Sequence, residues 1–145
     1  MIRKSTAVWQ GDGLHGNGGL TTQSGVMQGQ PYSFKTRFQS EDGKAGTNPE
    51  ELLGAAHAGC YAMALSFALT DAGHPPADLR VTAAVDLGKV EGGFAIGSIA
   101  LDLEARVPGI DDAKFQAVAE AAKKGCPVSK ALAATPITLT AKLVR

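Results

Sequence analysis

Residues 47–76 read TNPEELLGAAHAGCYAMALSFALTDAGHPP, and the reading of this run decides the fold. It opens with a helix start. Asn48 can cap, and Pro49 suits the first helical position, where a missing N–H costs nothing. Glu51 stands three residues after the cap, where a capping box places an acid. At the other end Gly73 supplies a left-handed cap and Pro75-Pro76 forbid continuation. A helix from Pro49 to about Ala72 is roughly 36 Å long. That is long for a chain of 145 residues, so a central position is expected.

Nineteen residues within it, Leu52 to Thr70, carry no charge, which reaches the threshold length for crossing a bilayer. The composition argues for another setting. Much of the run is Ala or Gly, His57 and Ser66 interrupt it, and no Lys/Arg asymmetry flanks it. A helix buried in a soluble core or at a subunit interface is expected, with no membrane partner. Leu52, Ala56, Cys60, Met63 and Phe67 share one face, and that face is expected to be the buried one.

Outward from this helix the pattern changes. On its N-terminal side STAVWQ, GLTTQSGVMQ and YSFKTRF are short, β-branched or alternating, and separated by Gly-rich turns, as strands are. Gly11-x-Gly13-x-x-Gly16 matches a dinucleotide fingerprint in form only. It leads from strand to strand, without the helix terminus that would hold a phosphate. A hairpin loop is expected there, with Asn17-Gly18 as turn residues. On the C-terminal side LRVTAAVDLGKV and FAIGSIALDLEARV read as a long hairpin joined by Glu91-Gly92-Gly93. A second amphipathic helix runs from near Asp111 to Gly125, Cys126-Pro127 opens a short helix, and ITLTAKLV alternates as a last strand. This is an α+β arrangement of antiparallel strands packed with a long central helix, and a single domain over 1–145 is expected. Formal net charge is zero and no stretch is strongly basic, which speaks against binding nucleic acid through its phosphates. The first residues lack the apolar segment of a secretory signal, so a cytoplasmic location is expected.

The two cysteines, Cys60 and Cys126, are 66 residues apart and form no C-x-x-C. Cys60 in an apolar run reads as a buried small hydrophobe. Cys126 stands at a helix start, where free N–H groups favour a thiolate. Three partner arrangements remain open. His57, three residues before Cys60, could form a Cys–His dyad for acyl transfer. Zinc could take both thiols and His57, although the spacing matches no common site. A permanent cation could lower a thiol's pKa by roughly one to three units, which makes thiolate dominant near pH 7. Arg37, in the strand-like YSFKTRF, is the attractive cation. His15 and His74 read as solvated loop residues.

YSFKTRF, GTNPEELLGAAHAGCYAMALS and KKGCPVSKAL together resemble the OsmC/Ohr family of osmotically inducible and organic hydroperoxide resistance proteins, on the OsmC side. The resemblance covers almost the whole chain. It implies a thiol-dependent peroxidase without metal, haem or other cofactor, reducing organic hydroperoxides and, more weakly, hydrogen peroxide. By motif, Cys60 is implied to be the peroxidatic cysteine, Cys126 the resolving one, Arg37 the cation on the thiolate, and Glu50 the partner of Arg37. A dithiol, often a lipoyl group in the family, is the implied reductant. The fold implied is the OsmC-like one, as an intertwined homodimer. Helix geometry fits a second chain, because Glu50 and Cys60 lie about 15 Å apart along a straight helix and one arginine hardly serves both. The rival readings are a cysteine hydrolase using His57 and a binding or structural protein with incidental cysteines.

Overall fold

The computed structural model describes the whole chain, Met1–Arg145, which divides into two compact units, Met1–Leu52 and Leu53–Arg145. The first unit is an antiparallel meander of β1 (Ser5–Gln10), β2 (Asn17–Thr22) and β3 (Gln30–Ser33), followed by a short helix, α1 (Phe34–Phe38), and the start of α2 (Pro49–Asp71). The loop between β1 and β2 is the expected hairpin connection. Asp12 Oδ1 closes it by accepting from the N–H of Leu14 (2.8 Å) and of His15 (3.0 Å). Asn17 and Gly18 do not form its turn, however, since both belong to β2. Gly18 is needed for a different reason: a Cβ there would lie 2.5 Å from the ring of Tyr32. Tyr32 is its register partner and packs on Trp9 with ring centroids 5.4 Å apart.

The stretch YSFKTRF is not a strand beyond Ser33. Ser33 caps α1 by accepting from Thr36 N–H (3.2 Å), and its own N–H donates to Thr36 Oγ1 (2.9 Å), a complete capping box. Arg37 therefore stands on a helix instead of a third strand. No hydrophobic side chain of this unit is buried, and all of β1, including Val8 and Trp9, is exposed.

In the second unit β4 (Asp78–Val90) and β5 (Gly93–Arg106) form the long hairpin, with a register shift between Asp86 and Leu87. β6 (Ile137–Leu143) pairs with β5 in parallel, the one exception to antiparallel pairing. Parallel neighbours need a crossover, which α3 (Asp112–Gly125) and α4 (Pro127–Ala131) supply. On β5, Ile99, Leu101, Leu103 and Ala105 are buried while Asp102 and Glu104 alternate outward. Leu101, Leu103 and Ala105 of this row join Tyr61, Leu65 and Leu69 of α2 and Phe115, Ala119 and Ala122 of α3 in one core.

The buried face of α2 is thus Gly54, His57, Tyr61, Leu65 and Leu69, not the expected Leu52–Ala56–Cys60–Met63–Phe67 face. Met63 and Phe67 are 65% and 67% exposed. A helix apolar nearly all round carries no stripe to announce its inner side. Gly54 helps to select it, for a Cβ there would sit 3.1 Å from the carbonyl oxygen of Ala83 in β4. By length and composition alone α2 is apolar enough to cross a membrane.

Candidate active site

In the first unit Arg37 and Glu50 meet. Arg37 Nη2 donates to Glu50 Oε1 (2.7 Å) and Nε to Oε2 (3.2 Å), a two-pronged fork that fixes both side chains. Glu50 is almost fully buried. Local signals bring the pair together. Thr36 Oγ1 donates to Thr47 O (3.1 Å), tying α1 to the residue before the α2 cap. Gly46 allows this approach, since a Cβ there would lie 2.8 Å from Thr36 Cγ2. Asn48 Oδ1 accepts from Glu51 N–H (2.8 Å), so the expected cap is present. The Glu51 carboxylate accepts from Thr47 Oγ1 (2.7 Å), which leaves Glu50, at the second helical position, for Arg37. Trp9, Tyr32, Phe34 and Phe38 line a cavity of about 120 Å³ together with Arg37 and Pro49. The guanidinium also lies 5.1 Å from the centre of the Phe38 ring, within cation–π range.

In the second unit the two thiols meet although 66 residues separate them: both are reduced, and their sulfurs are 3.2 Å apart. Cys60 lies at the edge of the buried face of α2, while Cys126 is fully buried. Cys126 ends α3 and begins α4. Its non-helical backbone (φ −59°, ψ 124°) is of the kind that Pro127 imposes on the residue before it. The thiols share one hydrogen bond, and whichever ionises first accepts it.

Burial pushes the Cys60 thiol up, the N–H of Val128 opposes this in part, and the proximity of Cys126 pushes it further up. Burial also pushes Cys126 up, but the N–H of Ser129, the bond shared with Cys60, the Ser129 hydroxyl and the N–H of Val128 outweigh it and bring this thiol below the ordinary range. These donors act at longer range than a capping hydrogen bond, which the Cys126 sulfur does not make. Within its own unit, then, Cys60 has only the N–H of Val128 to favour its thiolate, and burial outweighs it.

His57 does not pair with Cys60. Its Nε2 lies 2.7 Å from Ser129 Oγ, and both residues are buried. Ser129 went unremarked in the sequence, where CPVS drew attention only to its cysteine and proline. His15 is bound to Asp12 in the first hairpin loop (3.2 Å). No group of three or more His, Cys, Asp or Glu side chains is arranged to hold a metal ion.

The fold that carries these two pairs is found in a known class of proteins. The family model described as "OsmC-like protein" matches residues 41–142. The chain is 52% identical to the peroxiredoxin OsmC of Escherichia coli K12 over 141 residues, 97% of this chain and 96% of that one. It is 32% identical over 116 residues to the organic hydroperoxide resistance protein OhrB of Bacillus subtilis, 79% of this chain and 80% of that one. The crystal structure of an organic hydroperoxide resistance protein from Elizabethkingia anophelis superposes with a TM-score of 0.71 at 25% identity, covering 99% of each chain. The chain belongs to the OsmC-like family.

Proposed function

We propose that this protein is a cysteine-based peroxidase that reduces organic hydroperoxides in the cytoplasm, with hydrogen peroxide a poorer substrate. The observation that carries the reading is the pair of reduced thiols 3.2 Å apart, in a chain half identical to a peroxiredoxin over nearly its full length. The Cys60 thiolate attacks the terminal peroxide oxygen. The O–O bond breaks, the alcohol leaves with a proton, and Cys60 becomes a sulfenic acid. Cys126 then displaces that oxygen as water and closes an intramolecular disulfide. A dithiol, of which a lipoyl group is one form, reopens it by exchange. Neither metal nor haem takes part. Arg37, steadied by Glu50, supplies the positive charge that makes Cys60 a thiolate. The aromatic cavity beside Arg37 suits an organic substituent better than a second hydroxyl.

The working form is a homodimer whose sites are shared between chains. A three-stranded sheet with no buried hydrophobic side chain of its own is not self-supporting, and Met63 and Phe67 leave an apolar strip on α2 for a partner to cover.

Supplying an organic hydroperoxide and a dithiol and following peroxide loss tests the chemistry. Sustained loss is expected. The rivals, a hydrolase using His57 and a protein with incidental cysteines, both require none. Mixing Glu50→Ala with Cys60→Ser subunits tests the shared site. Heterodimers would hold one doubly damaged site and one intact site, so activity should return from two weak parents. Recovery that fails despite proven subunit exchange, or a monodisperse monomer on ultracentrifugation, excludes sharing.

A further inference from the structure

The reaction so far leaves two buried polar side chains without a task. His57 is 0% exposed and Ser129 6%, and they meet at 2.7 Å. His57 Nδ1 has no hydrogen-bond partner. A buried polar atom left unpaired is destabilising, so the arrangement calls for a reason.

The tautomers differ in consequence. With its proton on Nδ1, the ring would bury an N–H without an acceptor and would take up the Ser129 hydroxyl hydrogen at Nε2. With the proton on Nε2, the ring donates to Ser129 Oγ, and only a lone pair is orphaned, the less costly case. The Ser129 hydroxyl hydrogen is then free to point at another acceptor. Ser129 is the third residue of α4 and Cys126 its cap. That places Ser129 within one turn of the Cys126 sulfur, which makes no capping hydrogen bond, and the hydroxyl and N–H of Ser129 both favour its thiolate. Burial favours the neutral ring, whose Nε2–H tautomer supports this chain of donors.

We propose that His57 and Ser129 are positioning residues for disulfide closure: His57 Nε2–H orients the Ser129 hydroxyl, whose hydrogen steadies Cys126 as the attacking thiolate. This rests on the reading of Cys126 as the resolving cysteine. In the step, the Cys126 thiolate forms the S–S bond to Cys60 while the S–O bond of the sulfenic acid breaks. The oxygen leaves as hydroxide and takes a proton to become water. Cys126 is oxidised and Cys60 reduced, so no further reagent enters.

The groups facing Cys126 from α2 are Cys60 and Tyr61, with Glu120 of α3 acting on Tyr61. The Tyr61 phenol is held protonated by burial and donates to Ala119 O (3.2 Å). Lys123 and Lys124 of α3 and Lys130 of α4 line an open cleft with Ser129, and Lys123 and Lys124 both lie within 4 Å of Glu120, at 2.9 and 3.9 Å.

The test starts in a Cys60→Ala background, where Cys126 is the only thiol, titrated by the ultraviolet absorbance of its thiolate. Adding Ser129→Ala should raise its midpoint by about one pH unit, equivalent to about tenfold less thiolate at pH 7. Ser129→Thr, which keeps the hydroxyl, should stay near the parent, and His57→Leu should move the same way as Ser129→Ala. With Cys60 restored, single-turnover kinetics should show closure slowed about tenfold more than sulfenic acid formation. An unmoved midpoint in Ser129→Ala overturns the proposal. So does a shift that Ser129→Thr shares in full, or an equal slowing of both steps. A shifted midpoint in a protein that consumes no hydroperoxide supports the link to Cys126 and removes the peroxidase reading instead.

Discussion

Cys60→Ser should abolish organic hydroperoxide turnover, whereas Cys126→Ser should consume about one equivalent per chain and then stall. In the proposed mechanism only the first thiol receives the oxygen. Serine in its place cannot form a sulfenic acid, and its hydroxyl is far too weak an acid to ionise near neutrality. Without Cys126 the first oxidation still proceeds, but no second sulfur lies 3.2 Å away to remove the oxygen. The sulfenic acid then persists and can be trapped with a dimedone-type reagent and weighed by mass spectrometry. Equal single-turnover consumption by wild type and Cys60→Ser would sink the assignment, and a burst in Cys60→Ser with none in Cys126→Ser would reverse the two roles. That reversal is a real alternative, because inside its own unit Cys126 is the more acidic thiol and Cys60 the less.

Arg37→Ala settles what turns that order round. In the proposed dimer the guanidinium stands beside Cys60 and offsets the burial that pushes its thiol up. Removing it should lower hydroperoxide turnover about 10- to 100-fold at pH 7, from a pKa rise of roughly one to two units. The sign with pH follows. A raised thiol pKa means less thiolate below it and full thiolate above it, so the defect should shrink as pH rises past about 9. Glu50→Gln should give a milder form of the same profile, since the arginine remains but loses its two-pronged anchor. A defect that stays flat across pH would mean that Arg37 places substrate or supports the fold and does not ionise Cys60.

The ends of α2 were legible in the residues alone: Asn48 and Pro49 begin it, and Gly73 with Pro75-Pro76 stops it. So were the long β4–β5 hairpin, from its alternation, and the break at Cys126-Pro127. All of these are local signals, carried by residues within one or two turns of one another. The stretch around Arg37 shows the limit of such signals. Its aromatic alternation suggested a strand, but a Ser33–Thr36 capping box and the tie to Thr47 made it a helix. The face that α2 buries was illegible because its residues are apolar on every side. The choice fell to the contact of Gly54 with Ala83 and to the row of β5 side chains opposite Tyr61, Leu65 and Leu69. The two pairings that define the candidate site join residues 13 and 66 positions apart, as the parallel β5–β6 pairing joins distant strands. The His57–Ser129 contact spans 72 positions. No periodicity or spacing reaches that far. Arg37 meets Glu50 through the turn that ties Thr36 to Thr47, whereas the thiol pair and the His57–Ser129 contact come within bonding distance only when α2, α3 and the sheet have closed on one core.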